Sequence, residues 1–385
     1  MTITLKRLGD IATYVNGYAF KPTDWKNKGL PIIRIQNLTN PDSPFNYYQG
    51  EIDDKYIVNK GDILISWSAS LGVFEWLGEK AVLNQHIFKV IFDKEDIDKS
   101  YFKYIVQRSL KRALKYLHGS TMKHITKKYF DNILVPIPDL VTQKKIAKVL
   151  DKAQELIDKR KAQIEALDQL TQSVFLEMFG DPRLNKKNWK KQKLNDVCLR
   201  KGEYGSGSSA IPYDSGKPRY IRITDIRDDG SLNDDIVAPS NPDDYEKYRL
   251  NEGDILFARS GATVGKTYLH SEKNGYCIFA GYLIRFVPDT SKINPKFLFH
   301  FTRTQYYKQW VMNKQNTVAQ PNINAKQYGE ELFIICPPLE LQNRFTKIVE
   351  EIEAEKELLQ KSMVELQNNF NSLMQRAFKG ELFND

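Results

Sequence analysis

The sequence is poor in cysteine and histidine, the residues that most often build disulfides and zinc sites. Three cysteines occur among 385 residues, Cys198, Cys277 and Cys336, and no two of them form a Cys-x-x-Cys pair. The five histidines are scattered and form no His-Glu-x-x-His motif. We therefore expect neither disulfides nor a metal site, and the composition fits the reducing cytosol.

The sequence also lacks long apolar runs. No stretch approaches the ~20 apolar residues that span a bilayer, and the N-terminal stretch "MTITLKRLGD" has no signal-peptide core. We expect no membrane partner. The chain does have 41% hydrophobic residues, 12% aromatics and a net charge of +9. These values predict two or three folded domains and favour a polyanionic partner such as nucleic acid.

A complete nucleotide-binding loop is missing as well. The stretch "GDILFARSGATVGKT" (253–267) looks like a phosphate loop, but only three residues separate Gly261 from Gly265, and Ser260 stands where the first glycine belongs. A phosphate loop needs four residues there, so that its backbone N–H groups wrap the phosphates. The stretch is better interpreted as a glycine turn after a buried strand. Four of its side chains could still contact a phosphate backbone: Arg259, Ser260, Lys266 and Thr267.

The chain repeats itself. Five stretches of the first half recur in the same order in the second half, and two diverged copies of one module of about 190 residues explain this pattern. The paired stretches are IIRIQNL (32–38) and YIRITDI (220–226), VNKGDILIS (58–66) and LNEGDILFA (250–258), HIFKVIF (86–92) and YLIRFVP (282–288), PIPDLVTQKKIAKVL (136–150) and CPPLELQNRFTKIV (336–349), and SVFLEMFG (173–180) and SLMQRAFKG (372–380). Several of these runs have the length and apolar content of buried strands.

Each copy ends in a long predicted helix with a heptad pattern. Seam positions alternate at spacings of four and three, and neither proline nor glycine interrupts them. The first seam is Ile146, Leu150, Ala153, Ile157, Arg160, Ile164, Leu167, Thr171, Val174 and Met178, and the second is Phe345, Val349, Ile352, Lys356, Leu359, Met363, Leu366, Phe370, Leu373 and Ala377. Sustained heptads favour helix pairing. We therefore expect an α/β (α+β) fold in which two similar globular domains are separated by two long antiparallel coiled-coil helices, with a pseudo-two-fold internal repeat. The alternative is that each helix packs on its own domain.

Acidic residues are absent from one segment of each copy. Residues 99–130 contain nine Lys or Arg and no Asp or Glu, and residues 290–329 contain six Lys or Arg and again no acid. At the average of the chain, these 72 residues would hold about nine acids. A solvated helix face normally mixes charges of both signs, so we interpret both segments as surfaces that face a polyanion.

Polar loops in these segments carry side chains that pair with base edges. The stretches "LHGSTMKHITKK" (117–128) and "MNKQNTVAQPNINAKQ" (312–327) occupy equivalent positions. The candidate DNA-binding residues are Arg34, Gln36, Trp67, Ser68, Lys123, His124, Lys127, Lys128, Arg222, Thr224, Arg259, Ser260, Lys266, Asn316, Thr317, Gln320, Asn322 and Asn324. Any single one could instead make a loop hydrogen bond, so the prediction depends on the cluster.

Together these features resemble the specificity subunit of type I restriction–modification systems. The stretches "VPIPDLVTQKKIAKVLD" (135–151) and "CPPLELQNRFTKIVEEIE" (336–353) look like that family's entry into its conserved helices. The stretch "SLMQRAFKGEL" (372–382) looks like its C-terminal helix end, and "RSGATVGKT" (259–267) resembles a turn of its recognition domains. The resemblance covers essentially the whole chain.

The resemblance implies two target recognition domains, at 1–139 and 181–338, and conserved spacer helices at 140–180 and 339–385. Each domain would recognise half of a split site in double-stranded DNA. The helices would dock two modification (methyltransferase) subunits, with restriction (motor-nuclease) subunits in the full complex. The methyl donor S-adenosylmethionine would bind the modification subunit, so this chain would carry no cofactor and no catalytic residue.

Missing motifs agree with a non-catalytic chain. An adenine methyltransferase needs an Asn/Asp-Pro-Pro-Tyr/Phe turn, and "NPKF" (294–297) lacks the second proline. Two alternatives to a specificity subunit are a freestanding DNA-bridging regulator and an NTPase that uses 253–267.

Overall fold

The computed structural model describes residues 4–40, 42–68, 70–116, 126–315 and 322–383. Contacts between residues divide the chain into two units. Unit 1 is Met1–Lys161 with Lys361–Asp385, and unit 2 is Ala162–Gln360. Each unit therefore combines the strands and short helices of one module with parts of both long helices.

The strands of unit 1 are short. Its strands are β1 (Thr4–Arg7), β2 (Thr13–Asn16), β3 (Leu30–Ile33), β4 (Asn46–Tyr48), β5 (Ile57–Val58), β6 (Ile63–Ser66), β7 (Gly72–Glu75), β8 (Ala81–Leu83), β9 (Ile87–Ile91) and β10 (Leu134–Ile137). Its helices are α1 (Leu8–Ile11), α2 (Ile35–Thr39), α3 (Lys99–Tyr116), α4 (Lys127–Asp131), the first part of α5 (Leu140–Phe179) and the last part of the second long helix (Leu339–Ala377).

Two four-stranded sheets form the centre of unit 1. One is antiparallel with the order β2, β9, β6, β7, and the other has the order β4, β3, β8, β5, with β3 and β8 parallel. Strand β6 is buried at all four of its residues, as expected for a short apolar run with neighbouring strands on both sides. Strand β1 pairs with β10 and thereby brings the start of the module close to the start of α5.

Unit 2 repeats one four-stranded sheet of unit 1, whereas the strands equivalent to the second sheet form two separate pairs. Its strands are β11 (Lys190–Lys193), β12 (Glu203–Tyr204), β13 (Ala210–Pro212), β14 (Arg219–Ile221), β15 (Val237–Pro239), β16 (Ile255–Ala258), β17 (Thr267–Leu269), β18 (Cys277–Phe279), β19 (Leu283–Phe286) and β20 (Phe333–Cys336). Its helices are the last part of α5, α6 (Asp244–Lys247), α7 (Pro295–Phe301), α8 (Gln305–Gln315), α9 (Ala325–Glu331) and the first part of α10 (Leu339–Ala377).

The strand registers confirm the internal repeat. The sheet β12, β19, β16, β17 has the same order as β2, β9, β6, β7. Asn16 pairs with Phe88 in unit 1, and Tyr204 pairs with Ile284 at the same place in unit 2. Strand β11 pairs with β20 as β1 pairs with β10. The duplicated stretches of sequence therefore occupy equivalent positions in two copies of one module.

The two long helices run antiparallel. In unit 2, the ring of Phe345 lies 5.5 and 5.3 Å from the rings of Phe175 and Phe179 near the end of α5. Farther along α10, Lys356 donates a hydrogen bond of 2.5 Å to Asp168, which lies earlier in α5. Moving forward along α10 therefore means moving backward along α5. The long antiparallel helices expected from the heptads are confirmed.

The heptad seam is shielded from solvent along both helices. All twenty seam residues named above are buried or half-buried, whereas most of the positions between them are exposed. The helices also pack on the modules, because Phe370 lies 6.0 Å from Tyr104 of α3, and Phe345 lies 6.4 Å from Phe297 of α7. Pairing of the helices and packing on the domains, considered as alternatives from the sequence, both occur.

A buried glutamine fixes the start of each long helix. The side chain of Gln143 accepts a hydrogen bond from the N–H of Asp98 (2.9 Å) and donates one to the carbonyl of Pro138 (2.9 Å). Gln342 makes the equivalent bonds in unit 2. Both glutamines are at most 1% exposed. Because each amide satisfies two buried backbone groups, it ties the helix to the preceding module.

Among the described residues, no helix is both long enough and apolar enough to cross a bilayer.

Candidate nucleic-acid interface

Two distant segments of unit 2 meet at the end of β16. Ser260 forms a β-bridge with Asn322, and the N–H of Ile323 donates a 2.8 Å hydrogen bond to the carbonyl of Arg259. The Arg259 guanidinium also donates to the Asn322 side-chain oxygen at 3.4 Å, across 63 residues of sequence. The fold thus brings together three residues that the sequence proposes as DNA contacts.

Two tyrosines that the sequence analysis did not select lie in the same place. The guanidinium of Arg259 is 4.7 Å from the ring centre of Tyr204, within cation–π range. The N–H of Arg259 donates to the carbonyl of Tyr282 (3.1 Å), whose side chain is 61% exposed. Each tyrosine adjoins a glycine at a strand end, which is the signal that could have identified them. We call Tyr204, Arg259, Ser260, Tyr282 and Asn322 the strand-end cluster of unit 2.

The chemistry of this cluster fits duplex DNA. A guanidinium can bind guanine edges or phosphates, an amide can pair with adenine, and tyrosine and serine hydroxyls bind phosphate oxygens. The Asn322 side chain is exposed. Asn324, by contrast, uses its side-chain oxygen to accept the N–H of Gln327 (2.9 Å) and so caps the start of α9.

The glycine turn after β16 is not a phosphate loop. A phosphate loop leads into a helix, whereas the Gly-Lys-Thr stretch leads into strand β17. Lys266 is paired with Asp228 at 2.9 Å and donates to the carbonyl of Ile226 at 3.2 Å. Thr267 is fully buried against Thr302, so the expectation that Thr267 could contact a phosphate backbone is wrong.

Arg222 is held by carboxylates. Its guanidinium bonds Asp225 through Nε and an NH2 group, at 3.1–3.2 and 2.8 Å, and bonds Asp235 at 2.7 Å. Hydrogen bonding to Asp225 raises the pKa of Arg222. Thr224 is exposed and lies with Arg222, Tyr282 and residues 206–208 along a groove of about 540 Å³.

Unit 1 has an equivalent strand-end cluster, made of Asn16, Trp67, Ser68 and His86. The N–H of Trp67 donates to the carbonyl of His86 (3.2 Å), as Arg259 does to Tyr282. The Trp67 indole N–H donates to Asn16 (3.1 Å), and its ring stacks on Phe88 at 5.7 Å. His86 has a left-handed backbone (φ 73°), which is uncommon for a residue with a side chain and often marks a functional site.

The remaining candidates of unit 1 differ in accessibility. Ser68 is 7% exposed, which leaves its hydroxyl little surface for a DNA contact. The Arg34 guanidinium lies 5.0 Å from the ring of Trp25, and Gln36 is exposed. Lys127 and Lys128 are exposed in α4, where Lys127 pairs with Asp131 at 2.7 Å. Five candidates lie outside the described residues: Lys123, His124, Asn316, Thr317 and Gln320.

The acid-free segments carry less free charge than their sequences suggest, because acids from elsewhere in the fold pair with them. Lys103 bonds Glu75 at 2.7 Å in unit 1. In unit 2, Lys296 lies 2.8 Å from Glu353 of α10. Lys314 pairs with Glu331, just beyond the segment. Several cations remain exposed in these segments, among them Lys111, Arg112, Lys308 and Lys326.

Comparisons with known proteins agree with the duplicated architecture. The family model of the type I restriction modification DNA specificity domain matches residues 2–167 and again residues 186–368. The chain belongs to this family. The two matched segments correspond to the two copies of the module, and the resemblance inferred from the sequence is confirmed.

Relatives of this family match along nearly their whole length. The EcoBI specificity subunit of Escherichia coli is 25% identical over 97% of this chain and 85% of that protein. The MjaVIII specificity subunit of Methanocaldococcus jannaschii is 24% identical over 98% of this chain and 92% of that protein. The crystal structure of the type I S subunit from M. genitalium has the same fold, with a TM-score of 0.54, 16% identity and coverage of 98% of this chain and 96% of that one.

Proposed function

We propose that this chain is the DNA-binding specificity subunit of a type I restriction–modification complex and works in the cytosol. Each module is a target recognition domain that binds one half of a split site. The chain is non-catalytic, and methyl transfer with S-adenosylmethionine takes place on the modification subunits. DNA cleavage belongs to the restriction subunits of the full complex.

The observation that carries this proposal is the pair of strand-end clusters. The two clusters share the backbone hydrogen bond from Trp67 to His86 or from Arg259 to Tyr282, yet Arg259 beside Tyr204 in unit 2 replaces Trp67 beside Asn16 in unit 1. Side chains at equivalent positions with different hydrogen-bonding groups are suited to two different half-site sequences.

The helices offer a surface for the modification subunits. Both carry large apolar side chains that point away from the seam and are 44–61% exposed: Leu156, Leu170, Leu176, Leu358 and Val364. Exposed apolar surface rimmed by polar residues marks protein–protein contacts. We propose that the methyltransferase subunits bind there.

Co-purification with the modification subunits, followed by methylation mapping, tests the proposal. We expect one chain to bind two modification subunits and the assembled complex to methylate a split site. Exchange of residues 190–336 with the equivalent domain of another family member should change one half-site and leave the other as it was. Failure to bind modification subunits, with retained DNA binding, would favour a freestanding DNA-bridging regulator.

A further inference from the structure

Arg34 and Arg222 occupy the same position in the two modules. Each follows a buried strand, β3 or β14, that pairs in parallel with its neighbour, β8 or β18. The N–H of Arg34 donates to the side-chain oxygen of Asn37 at 3.1 Å, and the N–H of Arg222 donates to Asp225 at 2.8 Å. The backbones are therefore equivalent, and the residue three positions later differs by one charge.

That difference decides how each guanidinium is engaged. Asp225 is 1% exposed, and its carboxylate binds the Arg222 side chain through two nitrogens, while Asp235 supplies a second carboxylate. A buried carboxylate holds a guanidinium firmly in this bidentate geometry. Arg222 therefore has its charge balanced inside unit 2.

Asn37 cannot balance the charge of Arg34. Its amide nitrogen donates to the carbonyls of Ser43 (3.1 Å) and Pro44 (3.3 Å), so the side chain is already engaged with the loop. The Arg34 guanidinium lies over Trp25 instead. Within the part of the chain that the structure describes, no carboxylate oxygen comes within 4.0 Å of it.

The position shared by Arg34 and Arg222 faces the same region of the module as the strand-end cluster. In unit 2, Arg222 lines the groove that also includes Tyr282. The residue equivalent to Tyr282 in unit 1 is His86, which is linked to Trp67. By this equivalence, we expect the unbalanced Arg34 guanidinium to lie beside the unit 1 cluster, and Gln36, two residues later, is exposed.

We infer that Arg34 contacts the DNA of the first half-site, whereas Arg222 is a structural clamp in the second module. The residue three positions later sets this difference. The inference rests on the proposed DNA-binding function. The acceptor for Arg34 is an oxygen-rich group of the duplex, either a backbone phosphate or a guanine edge, since a guanidinium binds both.

The test uses the full chain assembled with its modification subunits. Arg34→Ala should weaken DNA binding roughly tenfold, and Arg34→Lys separates the two acceptors. A phosphate contact would survive in Arg34→Lys, and Arg34→Ala would lower the salt slope by about 0.9 at every sequence. A bidentate guanine contact would be weakened in both variants, which would relax one base of the first half-site.

Asn37→Asp tests the inference in the opposite direction, because it gives Arg34 a carboxylate at the position where Arg222 has Asp225. The new carboxylate should clamp Arg34 and weaken DNA binding about as much as Arg34→Ala. In the Arg34→Ala background, Asn37→Asp should have no further effect, which separates clamping from general loop damage. Thermal unfolding of each variant checks that it folds.

Arg222→Ala is the matched control. It should lower the melting temperature, and it should weaken DNA binding by the folded fraction much less than Arg34→Ala does. If the wild-type complex binds its site and Arg34→Ala binds equally well, the inference is wrong while the proposed function stands. If the wild-type complex recognises no specific site, the proposed function itself fails.

Discussion

The strand-end clusters of the two units have the same backbone hydrogen bonds and different side chains. The N–H of the residue after β6 or β16 bonds the carbonyl before β9 or β19, at 3.2 and 3.1 Å. Behind each cluster a cation repeats as well, because Lys89 and Arg285 both donate to a backbone carbonyl at 2.6 Å and both lie near an aspartate, Asp62 or Asp254. The supporting structure is therefore duplicated while the exposed groups are not.

This difference shows how one fold can bind two different DNA sequences. Strand register fixes where the exposed residues stand, and a change of side chain at those positions leaves the register intact. Trp67 and Arg259 can therefore diverge without disturbing the sheets, provided that the buried residues behind them remain.

The largest expected effect concerns the buried residues that stabilise the two units. Phe345→Ala removes a ring that packs on Phe175, Phe179 and Phe297, and should lower the free energy of unfolding of unit 2 by about 3–5 kcal/mol. The equivalent Ile146→Ala in unit 1 removes a smaller side chain, so we expect a smaller loss. Hydrogen exchange measured by peptide would report the opening free energy of each unit.

Leu358→Ala is the control for Phe345→Ala. Leu358 lies on the same helix, α10, outside the seam, and is 61% exposed. The substitution should change stability by no more than about 0.5 kcal/mol. A loss at Leu358 as large as that at Phe345 would contradict the seam assignment.

The second prediction is a smaller loss of stability, which should be equal in the two units. Gln143→Ala and Gln342→Ala each leave a half-buried backbone N–H and a buried carbonyl without this partner. Each should lower the free energy of unfolding by about 1–3 kcal/mol. Urea unfolding measures this, with the exposed Gln172→Ala as the control. A loss in only one unit would show that the two junctions are not equivalent.

The third prediction concerns recognition. Arg259→Ala removes the guanidinium that lies over Tyr204 and bonds Asn322, and should weaken discrimination at the second half-site by about 1–3 kcal/mol. Trp67→Ala should affect only the first half-site. Methylation mapping of the assembled complex distinguishes these outcomes. Relaxation of both half-sites by either variant would mean that the clusters do not act separately.

The smallest effect concerns phosphate contacts. Lys128 of α4 and Lys326 of α9 are exposed at equivalent positions, each two residues after a capping residue, Thr126 or Asn324. Replacing either by alanine should lower the salt slope of DNA binding by about 0.9. The measurement is affinity over a series of salt concentrations.

Lys127→Ala should lower that slope by less, because Lys127 is already paired with Asp131. An equal change for Lys127 and Lys128 would show that DNA displaces this ion pair. No change in the slope for Lys128 or Lys326 would remove α4 and α9 from the interface.

The sequence by itself determined the features that depend on local pattern. Heptad spacing identified the seam of both long helices, and the repeated stretches identified two copies of one module, because periodicity and self-similarity follow directly from residue order. The wrong spacing of Gly261 and Gly265 was also enough to interpret 253–267 as a turn rather than a phosphate loop.

The tertiary structure alone decided which groups meet and which charges are free. Arg259 and Asn322 are 63 residues apart, and nothing in their local sequence shows that they touch. The acid-free segments gain carboxylates such as Glu75 and Glu353 from other elements, so a local count of acids overestimates their free charge. Pairing of charges depends on distance in space, which falls to a few ångströms between residues that sequence order places far apart.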